Sequence, residues 1–236
     1  MTRLSIAIPS KGRLKAKTED WFAELGFPVR QVGGERGYQA EIDGLGDVDM
    51  RLLSASEIAA GIVDGSLHAG VTGEDLLHDT APMGVEDFHV LTKLGFGGAD
   101  VIVAVPQAWL DVDTMADLEA AGARFRKAHN RRMRVATKYL RLTRRFFSAE
   151  SVGEYRLVES AGATEAAPTT GSADVIVDIT STGATLKANG LKILKDGVIL
   201  KSEAAFSVSP SAEWSPLALE SIAKIAEAAR LSLPKL

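Results

Sequence analysis

The chain of 236 residues has no cysteine, which excludes disulfides, thiolate nucleophiles and cysteine-held zinc or iron–sulfur centres. Histidine is scarce, and His68, His78, His89 and His129 stand at no HExxH or other ligand spacing. Long apolar runs are missing too, and no stretch reaches the ~18 residues of a membrane helix. At the start only Leu4–Pro9 is apolar, interrupted by Ser5 and followed by Lys11 and Arg13. That falls short of the ~7–15 apolar residues of a secretory signal. The cytosol is therefore the expected compartment, with no membrane partner. Excess positive charge is also absent: 27 Lys and Arg against 31 Asp and Glu give −4, so nucleic-acid binding is not expected. Neither the phosphate loop GxxxxGK(S/T) nor the hydrolase elbow GxSxG occurs. Gly95, Gly97 and Gly98 come nearest to a dinucleotide fingerprint, but they precede a strand pattern instead of opening a helix.

What is present is the composition of a globular protein, 46% apolar and 25% charged. The length suits one large domain or two small ones, at ~150 residues each. Short apolar runs alternate with helical periodicity. Leu4–Pro9, Val29–Val32, Val48–Leu53, His68–Thr72, Ala99–Val105, Arg134–Thr137, Tyr155–Val158, Val175–Ile179 and Ile199–Val208 read as strands. Helices are expected after the Ser10-Lys11-Gly12 turn to about Leu25, to about Asp64 with Ser54 and Ser56 as candidate caps, after Gly73-Glu74-Asp75, over Thr114–Gly122 and Lys138–Ser148, from Thr185–Asn189 onward, and over Pro216–Leu233. The alternation predicts an α/β protein with mostly parallel sheets. The rhythm restarts at Gly95–Val105, which predicts two lobes, with Gly95–Asp100 and Lys195–Ser202 as crossover segments.

The most informative stretch is Val175–Gly190. An apolar strand ends in Asp178, and Thr180, Ser181, Thr182, Gly183, Ala184 and Thr185 lead into a helix. Backbone N–H groups and the helix dipole at such a start attract anions. Gly183 lets the backbone come close to a phosphate. A plain capped helix would need one hydroxyl, and there are four. Asp178 cannot ligate a phosphate; it is suited to sugar hydroxyls or to a metal ion held through water. Upstream, Glu159 and Glu165 bracket a Gly/Ala-rich turn that offers a second pocket wall. Lys11 and Arg13 follow the first strand, where α/β sheets usually meet ligands, and suit a polyphosphate. Arg134, Thr137 and Lys138 repeat the strand-then-cation pattern.

Ile6–Leu14 (IAIPSKGRL), Ser66–Leu76 (SLHAGVTGEDL), Arg134–Tyr139 (RVATKY) and Glu165–Leu191, in that order, resemble the catalytic subunit of ATP phosphoribosyltransferase in its short form, the first enzyme of histidine biosynthesis. The chain departs from the family pattern at Ser10, Leu140 and Ser172. The resemblance implies two lobes like type II periplasmic-binding-protein halves with the active site in the cleft, lobe I being 1–98 plus 195–236 and lobe II 99–194. It implies a phosphoribosyl pyrophosphate site at Asp178 and Thr180–Thr185, with Asp178 and Glu165 catalytic. ATP would be bound by Lys11, Arg13, Arg36, Tyr38, Asp75, Arg134, Thr137 and Lys138. It further implies Mg²⁺, a histidyl-tRNA-synthetase-like regulatory subunit, and a homodimer within a hetero-oligomer. Two other readings stay open: a nucleobase phosphoribosyltransferase, whose loop usually follows two adjacent acidic residues, and a non-catalytic two-lobe binder of a small anion.

Overall fold

A computed structural model describes residues 2–33, 37–160 and 162–236. The chain forms two compact units, the first running up to Gly97 and resuming over Glu203–Leu236, the second spanning Gly98–Ser202.

In the first unit β1 (Leu4–Pro9) is buried along its whole length. Its alternate side chains feed two apolar layers. Leu4, Ile6 and Ile8 join Phe22, Phe206, Ile222 and Ile225, while Ala7 joins Ile58, Ile62, Leu77 and Phe88. Then follow α1 (Gly12–Glu24), β2 (Val29–Val32), β3 (Gln39–Ile42), β4 (Val48–Leu53), α2 (Ala55–Asp64), β5 (Ala69–Gly73), α3 (Glu74–Thr80) and β6 (His89–Lys93). The start of α2 is a capping box. Ser54 Oγ accepts from the Glu57 N–H, and the Glu57 carboxylate accepts from the Ser54 N–H.

The second unit contains β7 (Ala99–Pro106), α4 (Met115–His129), β8 (Met133–Thr137), α5 (Leu140–Ala149), β9 (Tyr155–Glu159), a 3-10 turn (Thr164–Ala166), α6 (Ala167–Thr170), β10 (Val175–Thr180), α7 (Ala184–Ala188) and β11 (Leu191–Ser202). The chain then returns to the first unit with β12 (Ala204–Val208) and α8 (Pro216–Ala228).

The sheets have strand orders β2-β3-β4-β1-β5-β12-β6 and β11-β7-β10-β8-β9. Both are mixed, which corrects the expectation of mostly parallel sheets. Among the described residues β1 pairs parallel with β4 and β5, and β8 with β9 and β10; the other pairings are antiparallel. The physical reason lies in the crossovers. β7 and β12 are the strands by which the chain enters each sheet from the other unit, and each runs against both of its neighbours.

The expected strand Ile199–Val208 is two strands in two sheets. β11 stays paired with β7 as far as Ser202, opposite Ala99, and β12 pairs with β5 and β6 from Ala204. The return crossing thus falls at Ser202–Glu203, at the end of the segment expected to carry it. Glu203 is pinned there, its carboxylate accepting from the Gly95 N–H at 2.9 Å and its carbonyl from the Glu74 N–H at 3.1 Å. No helix among the described residues is long and apolar enough to cross a membrane.

Candidate functional site

The residues Val175, Ile176 and Val177 of β10 are fully buried, flanked by β7 and β8. At the next residue the strand leaves the core, and Asp178, Ile179 and Thr180 are half-buried. The parallel register sets Ile176 beside Ala136 and Thr137 beside Glu159. Continued by two residues, it brings Lys138 level with Asp178. The C-terminal ends of β8, β9 and β10 therefore lie side by side, the usual ligand edge of a parallel sheet.

A cavity of about 290 Å³ opens there, lined by Glu165, Asp178, Ile179, Thr180, Ser181, Thr182, Thr185 and Leu186. The loop closes on Gly183, whose left-handed φ of 71° favours glycine. Two of its hydroxyls shape it: Thr180 Oγ1 accepts from the Gly183 N–H at 2.9 Å and Thr182 Oγ1 from the Ala184 N–H at 3.3 Å. Ser181 Oγ donates to the Gly98 carbonyl at 3.3 Å. The threonine O–H protons remain available as donors, and Thr185 lies at the cavity wall at the start of α7. Capping thus uses two of the four hydroxyls without removing their donor capacity.

Asp178 accepts from the Ile179 N–H at 2.8 Å. Burial pushes its carboxyl above the ordinary range and the Glu165 charge adds to this, against the Ile179 N–H and the Lys138 ammonium, which pull it down. A group that opposes a second carboxylate in a half-buried pocket is suited to donors and to positive charge. Among the described residues no three His, Asp or Glu side chains gather in a way that could hold a metal ion.

Two expected residues of this unit face elsewhere. Thr137 is fully buried, and its Oγ1 accepts from the Tyr139 N–H at 2.9 Å. Arg134 sits four residues before Lys138, about 13 Å along the strand at ~3.3 Å per residue. Its guanidinium donates to Asp174 at 3.4 Å and to the Gly171 carbonyl at 2.8 Å. Asp174 also accepts from Arg131, at 2.6 and 2.9 Å, and from the Arg134 backbone N–H at 2.8 Å. Burial pushes its carboxyl up, but these donors outweigh burial and hold it at about 2. Arg134 is thus a strut between the starts of β8 and β10, away from the cavity.

In the first unit Lys11 and Arg13 are exposed at the C-terminal end of β1, and Gly12 between them has φ 76°. Asp75 is buried in the first turn of α3, at the same end of β5. Tyr38 is 72% exposed just before β3, and its carbonyl accepts from the Leu52 N–H at the end of β4. These four residues therefore share one edge of the seven-stranded sheet. Arg36 lies outside the described residues. Beside Asp75 no sequence motif points to an ion pair in which the buried Glu74 carboxylate meets the half-exposed Lys93 Nζ at 2.9 Å. Lys93 stands in no motif, so only the pairing of β6 beside β12 could reveal it.

The family described as HisG, ATP phosphoribosyltransferase, matches residues 54–230. The ATP phosphoribosyltransferase of Rhodopseudomonas palustris (strain BisB18) is 55% identical over 219 residues, covering 93% of this chain and 67% of that protein. The enzyme of Caulobacter vibrioides (strain NA1000 / CB15N) is 53% identical over 224 residues, covering 95% of this chain and 70% of that protein. Among solved structures, a chain of the ATP phosphoribosyl transferase (HisG:HisZ) complex from Thermotoga maritima superposes with a TM-score of 0.72 at 23% identity, over 96% of both chains, and shares the fold. The chain belongs to the ATP phosphoribosyltransferase family, the enzymes that open histidine biosynthesis by joining a phosphoribosyl group to ATP.

Proposed function

We propose that the 180–185 loop holds the 5′-phosphate of phosphoribosyl pyrophosphate, that Asp178 and Glu165 face its ribose, and that Lys138 meets its phosphate groups. The observation that carries this reading is the cavity at the end of β10, where a carboxylate, a hydroxyl-rich loop and a helix start converge. In the first unit, Lys11, Arg13, Tyr38 and Asp75 are proposed to serve ATP and pyrophosphate.

The chemistry asks little of a general base. N1 of adenine attacks C1 of the ribose with a lone pair and carries no proton to remove. The pyrophosphate is already a good leaving group. Positioning and charge stabilisation remain, and carboxylates near the sugar suit an oxocarbenium-like centre. Glu165 and Asp178 are the carboxylates that would help to hold a divalent cation here together with the substrate. Such a cation, Mg²⁺ in this reading, would supply charge neutralisation for the departing pyrophosphate.

A histidyl-tRNA-synthetase-like partner, as in the HisG:HisZ complex of Thermotoga maritima, is proposed for regulation. The test of the whole reading is an ultraviolet assay for phosphoribosyl-ATP from phosphoribosyl pyrophosphate and ATP, with and without that partner and added histidine. Product from ATP supports it. Pyrophosphate release only with free adenine or guanine would replace it by nucleobase transfer, and no release at all by simple anion binding.

Two variants probe the site. Because Lys138 pulls the Asp178 carboxyl down and Glu165 pushes it up, the acid limb of kcat/KM against pH moves to higher pH in Lys138→Met and to lower pH in Glu165→Gln. Shifts in one common direction contradict this. Gly183→Ala forces a side chain into φ 71°, although its nearest neighbour would be Ile193 Cδ1 at 3.9 Å. The cost is about 1 kcal/mol of backbone strain, not a clash. KM for phosphoribosyl pyrophosphate should rise about 5-fold, as that strain converts at 1.4 kcal/mol per tenfold. An unchanged KM argues against the loop.

A further inference from the structure

We infer that Tyr139 is a positioning residue that acts through Lys138, its ring holding the lysine ammonium at the cavity edge beside Asp178. This rests on the reading that Lys138 meets substrate phosphates. Lys138 is exposed and follows the last residue of β8, so its four-carbon stem would otherwise sample many rotamers. Its Nζ instead lies 5.1 Å from the centroid of the Tyr139 ring, within cation–π range.

The ring itself is held firmly. Tyr139 is 1% exposed and occupies the non-helical position before α5, with φ −95° and ψ 67°. Two fully buried threonines fix its backbone. Thr137 Oγ1 accepts the Tyr139 N–H at 2.9 Å, and Thr143 Oγ1 donates to the Tyr139 carbonyl at 2.6 Å. The Thr143 N–H reaches the same carbonyl at 3.0 Å. A rigid aromatic face thus sits under a mobile cation, at the end of the strand that runs parallel to β10. Holding the ammonium before substrate arrives lowers the entropy lost on binding.

The test is a double-mutant cycle on KM for phosphoribosyl pyrophosphate. Tyr139→Leu raises KM about 3-fold with kcat unchanged, Tyr139→Phe restores it, and in a Lys138→Met background Tyr139→Leu adds nothing. An equal rise in both backgrounds makes Tyr139 merely structural and overturns the inference. A Lys138→Met enzyme with parental KM overturns instead the reading beneath it. Because a buried leucine could impair folding, stepwise fluorinated phenylalanines at position 139 keep the shape while draining the ring face. KM should climb with each fluorine, and a flat series contradicts the inference.

Discussion

Asp178→Ala lowers kcat/KM for phosphoribosyl pyrophosphate by a factor of about 100 or more, because two hydrogen bonds from ribose hydroxyls to a carboxylate, about 1.5 kcal/mol each, disappear from the transition state. Asp178→Asn keeps an acceptor and loses the charge, so its loss is smaller. The same substitutions should leave thermal stability equal to or above the parent. A carboxyl whose pKa is raised by burial and by Glu165 is held in the folded protein at a cost when ionised. Functional groups of this kind commonly oppose stability. Activity lost together with a lower melting temperature would mean that Asp178 serves the fold. Near-parental kinetics would remove it from the site.

Asp174→Ala should do the reverse. Its carboxylate takes the Arg131 fork, the Arg134 N–H and the Arg134 guanidinium, and its own N–H donates to the Arg134 carbonyl at 2.9 Å. Removing it takes the carboxylate partner from two guanidinium groups, which keep the Arg132 and Gly171 carbonyls as acceptors, and leaves one backbone donor unpaired, for about 2–4 kcal/mol and a fall in melting temperature of roughly 5–10 °C. Calorimetry at neutral pH measures this directly. Asp174→Asn should recover part of the loss, and kcat/KM of the folded protein should change far less than in Asp178→Ala.

The acid dependence has a fixed sign. The Asp174 pKa is depressed from 3.8 to about 2 in the folded state. Its contribution, roughly 2 kcal/mol, is complete above the unfolded value and fades as pH falls through about 2. The parent should therefore lose stability more steeply than Asp174→Asn between about pH 4 and 2, and parallel curves would refute the strut.

Where an apolar run is bounded by glycine, proline or serine, its elements are legible locally. Leu4–Pro9, Val29–Val32 and Val48–Leu53 are strands with the bounds read from the sequence. The short strands Gln39–Ile42 and His89–Lys93 escaped, since neither carries a continuous apolar run and each is recognised by its neighbours in the sheet. Helix α4 runs past the expected stop at Gly122. That glycine admits a close approach, as a Cβ there would stand 2.8 Å from Met133 Cε, and the true cap is Asn130 at φ 52°. The last helix is shorter than its apolar pattern because Leu231 and Leu233 pack on the core after the helix has ended at Ala228.

The site divides along the same line. Strand, Asp178, hydroxyl loop and helix are contiguous, so their cavity could be foreseen, and Glu165 arrives on a turn only thirteen residues upstream of Asp178. Arg134 could not be placed from the sequence. Its role depends on Asp174, forty residues away, and on which end of β8 each residue occupies. The expected order, Arg134 within the strand and Lys138 just after it, is the order β8 shows, but that order says nothing of where the Arg134 guanidinium is held.

A crystal of the protein soaked with phosphoribosyl pyrophosphate tests the central claim most directly. The account predicts the 5′-phosphate against the N–H and hydroxyl groups of residues 180–185 and the ribose hydroxyls on Asp178. Sugar donor bound elsewhere, or seated in the loop with its ribose out of reach of Asp178, would contradict it.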